Sequence, residues 1–211
     1  MSEEQYIQIS EILEELGKLL DVTETEFNTI TKSYQAVGQF LAEGSSPLQK
    51  FNPSIHPQGS FLLGTVVRPI AEDDDLDIDL VCELENKPSY WAPFHLKNAV
   101  GDRLKSSDLY RSKLDEEGKR CWTLLYGDNK YHLDVLPSLV CHNYREIVTR
   151  YFSEAASRKP DELAMHITDK TKDDYYTEFD SDKWMITNPF GYAQWFLAAA
   201  QSAYRKEKTF A

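Results

Sequence analysis

The segment Asp75-Leu76-Asp77-Ile78-Asp79-Leu80-Val81-Cys82 constrains this chain more than any other. Apolar residues alternate with aspartates and then run on unbroken through Leu80-Val81-Cys82, which is the pattern of a partly buried strand. Successive side chains of a strand point to opposite faces. Asp77 and Asp79 therefore share one face, while Ile78 and Leu80 enter a core on the other. Aspartate is a poor strand former, and two neighbouring carboxylates repel each other unless a cation lies between them. The acidic run Glu72, Asp73, Asp74, Asp75 leads straight into the segment, so a solvated strand edge is the plain alternative. The apolar surroundings of Asp77 and Asp79 favour a metal site. Asp75 has the same strand parity and competes for the role.

A second carboxylate sits in the same kind of setting. Tyr131-His132-Leu133-Asp134-Val135-Leu136-Pro137 reads as a strand, and Trp122 to Tyr126 reads as its hairpin partner across the turn Gly127-Asp128-Asn129-Lys130. Asp134 is flanked by Leu133 and Val135, and a buried carboxylate needs an arginine, backbone donors or a metal. His132 shares its parity and is assigned to the wall of a cleft. The third feature is Gly59-Ser60-Phe61 after His56-Pro57-Gln58. A Gly-Ser pair opening a helical turn lets backbone N–H groups approach a phosphate, and the hydroxyl adds a donor. On its own such a pair is more often an ordinary turn. Gln58 and Arg68 lie near it and are given no ligand role.

Phosphoryl-transfer sites with two metal ions use about three carboxylates to hold ions roughly 3.5–4 Å apart. Asp77, Asp79 and Asp134 supply such a set, and oxygen ligands suit Mg2+ or Mn2+. Gly59 and Ser60 supply donors for a triphosphate.

Composition narrows the partners. The 23 basic and 35 acidic residues leave a net charge of −12, which disfavours long nucleic-acid backbones, although magnesium-bound nucleotides remain compatible. Cys82, Cys121 and Cys141 form no CxxC pair, so neither a disulfide framework nor a zinc site is expected. No stretch reaches the roughly 18 apolar residues of a membrane span, and the acidic start Met1-Ser2-Glu3-Glu4 lacks the features of a signal peptide. A cytoplasmic location is the expectation.

Helices frame these strands. Ile9, Ile12, Leu13, Leu16, Leu19 and Leu20 give one apolar stripe. Thr23 with Glu26 makes a capping box for a second helix, carrying Phe27, Ile30, Tyr34, Val37, Phe40 and Leu41 and ending at Gly44. Both stripes are expected to be packing surface. Ala92 to Leu104 and Tyr144 to Ala156 also read as helix, and Asp169 to Asp182 as an acidic loop. Asn188-Pro189-Phe190-Gly191 opens a last helix, with Tyr192, Trp195 and Phe196 read as core.

Taken together, Gly59-Ser60, Asp77-Ile78-Asp79 and Asp134 resemble the signature of the DNA polymerase beta-like nucleotidyltransferase superfamily. The longer strings Gln58 to Thr65, Asp77 to Val81 and Leu133 to Pro137 are similar to the cGAS/DncV-like bacterial enzymes and their oligoadenylate synthetase relatives, as is Asn188 to Tyr192 with Trp195-Phe196. The resemblance covers Phe27 to Phe196. It implies an α+β fold with a mixed sheet and long N-terminal helices. The expected division is residues 1–50 as helices bracing the core, 51–185 as the nucleotidyltransferase core, and 186–211 as the start of a C-terminal helical region. It also implies Mg2+-dependent joining of ATP, GTP or other nucleoside triphosphates into a cyclic or linear oligonucleotide signal of bacterial anti-phage defence, with an effector or regulatory protein as partner. Family members continue into a C-terminal helical part that this sequence reaches only at its end. The alternatives are a nucleotidyltransferase that modifies a protein or RNA end, of the toxin–antitoxin type, and a non-catalytic scaffold that keeps the fold.

Overall fold

The acidic strand lies at the heart of a mixed sheet. The computed structural model describes residues 2–71, 74–127, 130–142, 144, 149 and 160–209. Among them are strands β1 (Ser54–Pro57), β2 (Leu76–Glu85), β3 (Trp122–Tyr126), β4 (Tyr131–Val140), β5 (Met165–Ile167) and β6 (Met185–Thr187). β1 pairs antiparallel with β2, and β2 runs parallel to β4 over its full length, from Leu76 opposite Tyr131 to Glu85 opposite Val140. The other edge of β4 is shared, by β3 along its first half and by β5 near its end, with β6 beyond β5.

The period of two divides the residues of β2 and β4 between two environments. On one face, Leu76, Ile78, Leu80, Cys82 and Leu84 join Leu133, Val135 and Leu139 of β4 in the larger core. Helices α2 (Glu24–Ala42) and α4 (Pro93–Lys105) cover it with Ile30, Val37 and Leu41 and with Leu96, Val100 and Leu104. Fully burying one such side chain contributes about 1.5–3 kcal/mol, so the helices are fixed on this face. On the other face, Val81, Leu136 and Val140 pack with Tyr144, Leu163, Met165, Ile167 and Phe190. That second core covers only the later half of β2 and β4. Their first halves are left as the floor of a cleft.

Caps set the helix starts. Thr23 Oγ1 accepts from Glu26 N–H at 3.2 Å while the Glu26 carboxylate accepts from Thr23 N–H at 2.8 Å, so both halves of the capping box form. The chain leaves α2 through Gly44 at φ 69°, a left-handed conformation that suits glycine. At the other end, beyond the short α5 (Asp108–Arg111), α6 (Pro189–Thr209) starts with Asn188 Oδ1 accepting from Gly191 N–H at 2.8 Å, and Pro189 occupies the first turn, where no donor is needed.

Two packing expectations are corrected. α1 (Glu3–Leu20) has no buried residue; Ile12, Leu13 and Leu19 are 66%, 61% and 71% exposed. The apolar period was real, but periodicity marks a face without fixing what covers it, and nothing among the described residues does. On α6 the buried side chains among the described residues are Phe190 and Ala193, beside the buried Gly191, whereas Tyr192 and Trp195 are exposed and Phe196 is half-buried. The aromatic stripe is thus the flank of the buried face and not its centre. The reading of Tyr144 to Ala156 as helix falls largely outside the described residues. The described residues include no helix long and apolar enough to cross a membrane.

Candidate active site

The cleft floor is built from three neighbouring strands. Asp79 of β2 lies directly opposite Asp134 of the parallel strand β4, and Asp77 lies opposite His132. Thr123 of β3 is the antiparallel partner of Asp134, and its Oγ1 donates to Asp134 Oδ1 at 2.5 Å. Thr123 owes its placement to the residue before it. Trp122 is buried on the core face, close against Gly101 of α4, and its Nε1 donates to Lys97 O at 2.9 Å. Core packing on one face of β3 therefore sets the hydroxyl that holds Asp134 on the other.

The Gly-Ser turn arrives over the same carboxylates. Gln58 N–H donates to Asp79 O at 2.8 Å, and the short helix α3 (Gly59–Leu63) begins at the next residue. Phe61 anchors it to α2 by stacking on Phe27 with ring centroids 4.8 Å apart. Gly59 has φ 58°, and a Cβ there would stand 2.5 Å from Asp79 Oδ2. Glycine is required twice, for the backbone conformation and for the carboxylate beneath it. The first N–H groups of a helix have no acceptor within it, and Gln58 provides no side-chain cap. The amides of Gly59 and Ser60 find no acceptor among the described residues. Beside the turn opens a cleft of about 470 Å³, lined by Gln58, Gly59 and Leu62 and by Asn188, Pro189 and Tyr192 at the start of α6.

Electrostatics mark the floor as a site under stress. Burial and then the charges of Asp77 and Asp134 push the Asp79 carboxyl up from its ordinary range. The hydrogen bond from His132 holds Asp77 down. The hydrogen bond to Asp77, helped by Asp75, raises His132 to about 9. Cys121, which precedes β3, is pushed up to about 12 by burial and then by Asp134, Asp79 and Asp77.

Asp77, Asp79 and Asp134 rise from one face of adjacent strands, with Gly59 above Asp79 and Ser60 the next residue of α3. The group whose ligand atoms all lie within 4.8 Å of one another is Asp77, His132 and Asp134. Asp79 leans toward Gly59. His132 was read as cleft wall, yet its Nε2 is 3.0 Å from Asp77 Oδ1 and its Nδ1 is 2.7 Å from Asp75 Oδ2. The shared parity of Asp75, Asp77, His132 and Asp134 was the signal that points to it. Arg68 is engaged by Glu26 at 2.9 Å and faces α2. A carboxylate row under strain, opposite unengaged amides, fits divalent metal with a triphosphate.

The fold is the mixed α+β fold found in DncV and CdnG. Residues 53–137 match the family described as cyclic GMP-AMP synthase DncV-like, nucleotidyltransferase domain. A c-di-GMP synthase of Roseivirga ehrenbergii is 26% identical over 196 residues, covering 92% of this chain and 44% of the relative. The structure of the Bradyrhizobium diazoefficiens CD-NTase CdnG in complex with GTP superposes with a TM-score of 0.62 at 22% identity, over 87% of this chain and 45% of that one. The 3′-deoxy GTP bound form of Vibrio cholerae DncV gives 0.62 at 14% identity, over 89% and 58%. The chain spans less than half the length of the curated relatives it matches, 44% and 35%.

Proposed function

We propose that this chain carries out nucleotidyl transfer, joining nucleoside triphosphates such as ATP or GTP into a cyclic or linear oligonucleotide. The observation that carries the reading is the carboxylate row Asp77, Asp79 and Asp134 beneath the open amides of Gly59 and Ser60. Asp77, Asp79 and Asp134 would hold Mg2+ or Mn2+, which when bound supplies activation of the attacking hydroxyl and neutralisation of the triphosphate. The protein's own groups do the positioning. Thr123 fixes the Asp134 carboxylate, and the amides of Gly59 and Ser60 donate to phosphate oxygens at a left-handed turn that only glycine fits closely. The 470 Å³ cleft between α3 and α6 is of a size to take a nucleoside, with exposed Tyr192 on its wall. In the transfer, a sugar hydroxyl oxygen forms a bond to the α-phosphorus, the bond from that phosphorus to pyrophosphate breaks, and the hydroxyl proton leaves to solvent.

The family resemblance extends this reading to a signal of bacterial anti-phage defence, made in the cytoplasm and read by an effector or regulatory protein. The test is incubation with all four labelled nucleoside triphosphates and Mg2+ or Mn2+, followed by phosphatase treatment. A phosphatase-resistant product made by the parent and lost in Asp134→Asn is expected. No product, or equal product from the variant, would refute the reading.

A further inference from the structure

His132 sits between two carboxylates at the edge of the proposed metal site. Its ring is held at both nitrogens, with Nδ1 2.7 Å from Asp75 Oδ2 and Nε2 3.0 Å from Asp77 Oδ1. One atom each from Asp77, His132 and Asp134 falls within a span of 4.8 Å. Cis ligands on an octahedral ion with bonds of about 2.1 Å lie about 3 Å apart, and trans ligands about 4.2 Å. The Nε2-to-carboxylate spacing already equals a cis edge, and the widest separation closes with shifts of a few tenths of an ångström. A histidine that binds metal through one nitrogen commonly donates from the other to a carboxylate, which fixes its tautomer and aims the ring. Asp75 is placed to do that, because it lies on β2's approach with the same parity as Asp77, across from His132.

We infer that His132 Nε2 joins Asp77 and Asp134 as a third protein ligand to the divalent ion held there, oriented by Asp75. The inference rests on the metal-site reading above and gives it a mixed nitrogen–oxygen donor set. Imidazole is a poorer ligand than carboxylate or water for magnesium and a better one for first-row transition ions. The site should therefore favour Mn2+ over Mg2+ more strongly than an all-oxygen site does.

The test is pulsed electron paramagnetic resonance of the full chain loaded with Mn2+, with Mn2+ and Mg2+ affinities measured alongside. Nitrogen modulation from a coordinated imidazole is expected in the parent and should vanish in His132→Gln. The preference for Mn2+ over Mg2+ should shrink in that variant. Asp75→Asn keeps the imidazole and should weaken Mn2+ binding by about 10-fold, the low end of the effect of losing such an orienting partner. Mn2+ bound in an Asp134-dependent way without nitrogen modulation would overturn the inference and leave the carboxylate site standing. Mn2+ bound equally well by Asp134→Asn would overturn the site reading itself. A structural ion pair predicts normal Mn2+ affinity in Asp75→Asn, which would also refute the ligand role.

Discussion

Replacing Gly59 by alanine separates backbone strain from damage to the site, because Gly64 provides a matched control. Both glycines have positive φ, 58° and 67°. A left-handed conformation costs a residue with a Cβ about 1–2 kcal/mol, so each variant should lose that much stability. For a chain of this size the loss corresponds to about 2–8 °C in Tm. The two differ in what the new methyl meets. At Gly64 nothing lies within 4 Å, whereas at Gly59 the Cβ would stand 2.5 Å from Asp79 Oδ2. An ordinary heavy-atom contact is roughly 3.5 Å, so the carboxylate must swing away by about 1 Å. Because that oxygen is the free end of a side chain, the swing adds little to the folding cost. It displaces a proposed metal ligand, and a misplacement of about 1 Å can cost on the order of 100-fold in rate. Thermal unfolding and Mg2+-dependent transfer, measured on both variants, check this. Similar Tm losses are expected, with transfer retained by Gly64→Ala and reduced about 100-fold in Gly59→Ala. Equal activity of the two would refute the role of the Gly59–Asp79 contact.

Other perturbations probe the supporting frame. Gly101→Ala would set a methyl 2.2 Å from the Trp122 ring, so overpacking should lower stability by about 1–3 kcal/mol in denaturant unfolding and loosen Asp134 through Thr123. Lys97 is fully buried and its Nζ reaches Gly118 O, Lys119 O and the Glu117 carboxylate, so Lys97→Met should cost about 1.5–3 kcal/mol by removing the hydrogen bonds of a charged donor, seen as a lower denaturant midpoint. Glu26 is held down to about 2, first by Thr23 and then by Arg68. A depressed carboxylate stabilises the fold above its unfolded value of about 4.3 and loses that contribution as pH falls toward about 2. Glu26 is partly exposed, so Glu26→Gln should destabilise by under about 1 kcal/mol near neutral pH, with the gap closing in acid melts.

What the sequence disclosed followed from period and charge. β2 was legible because Leu76, Ile78 and Leu80 alternate with Asp77 and Asp79, and that alternation also gave the face of the aspartates. β4 and its hairpin partner were legible from two apolar runs around a turn, and α2 from a capping box that forms as drawn. Three-residue strands such as β5 and β6 are too short to show a period, and β1 ends in a proline, so these were missed. The pairing of His132 with Asp77 was hidden because it depends on the parallel register of β2 and β4, which nothing local encodes. For the same reason the nearness of Gly59 to Asp79 appears only once β1 has paired with β2. α1 and the flank of α6 show the opposite failure, since their spacing described a face and not its partner.

The central claim, that the paired aspartates exist to hold divalent metal, is tested most directly by the metal-induced thermal shift of Asp77→Asn/Asp79→Asn. The amides keep size and shape while removing the Asp79 charge, which burial and Asp77 disfavour, and the Asp77 charge, which pairs with His132, so the two effects oppose and the variant should melt close to the parent Tm in metal-free buffer. Saturating Mg2+ should stabilise the parent, by about 2.7 kcal/mol at 100 times the dissociation constant, and leave the variant unchanged. A variant that unfolds without metal would show the aspartates to be structural ion-pair partners, and one stabilised by Mg2+ as much as the parent would place the metal elsewhere.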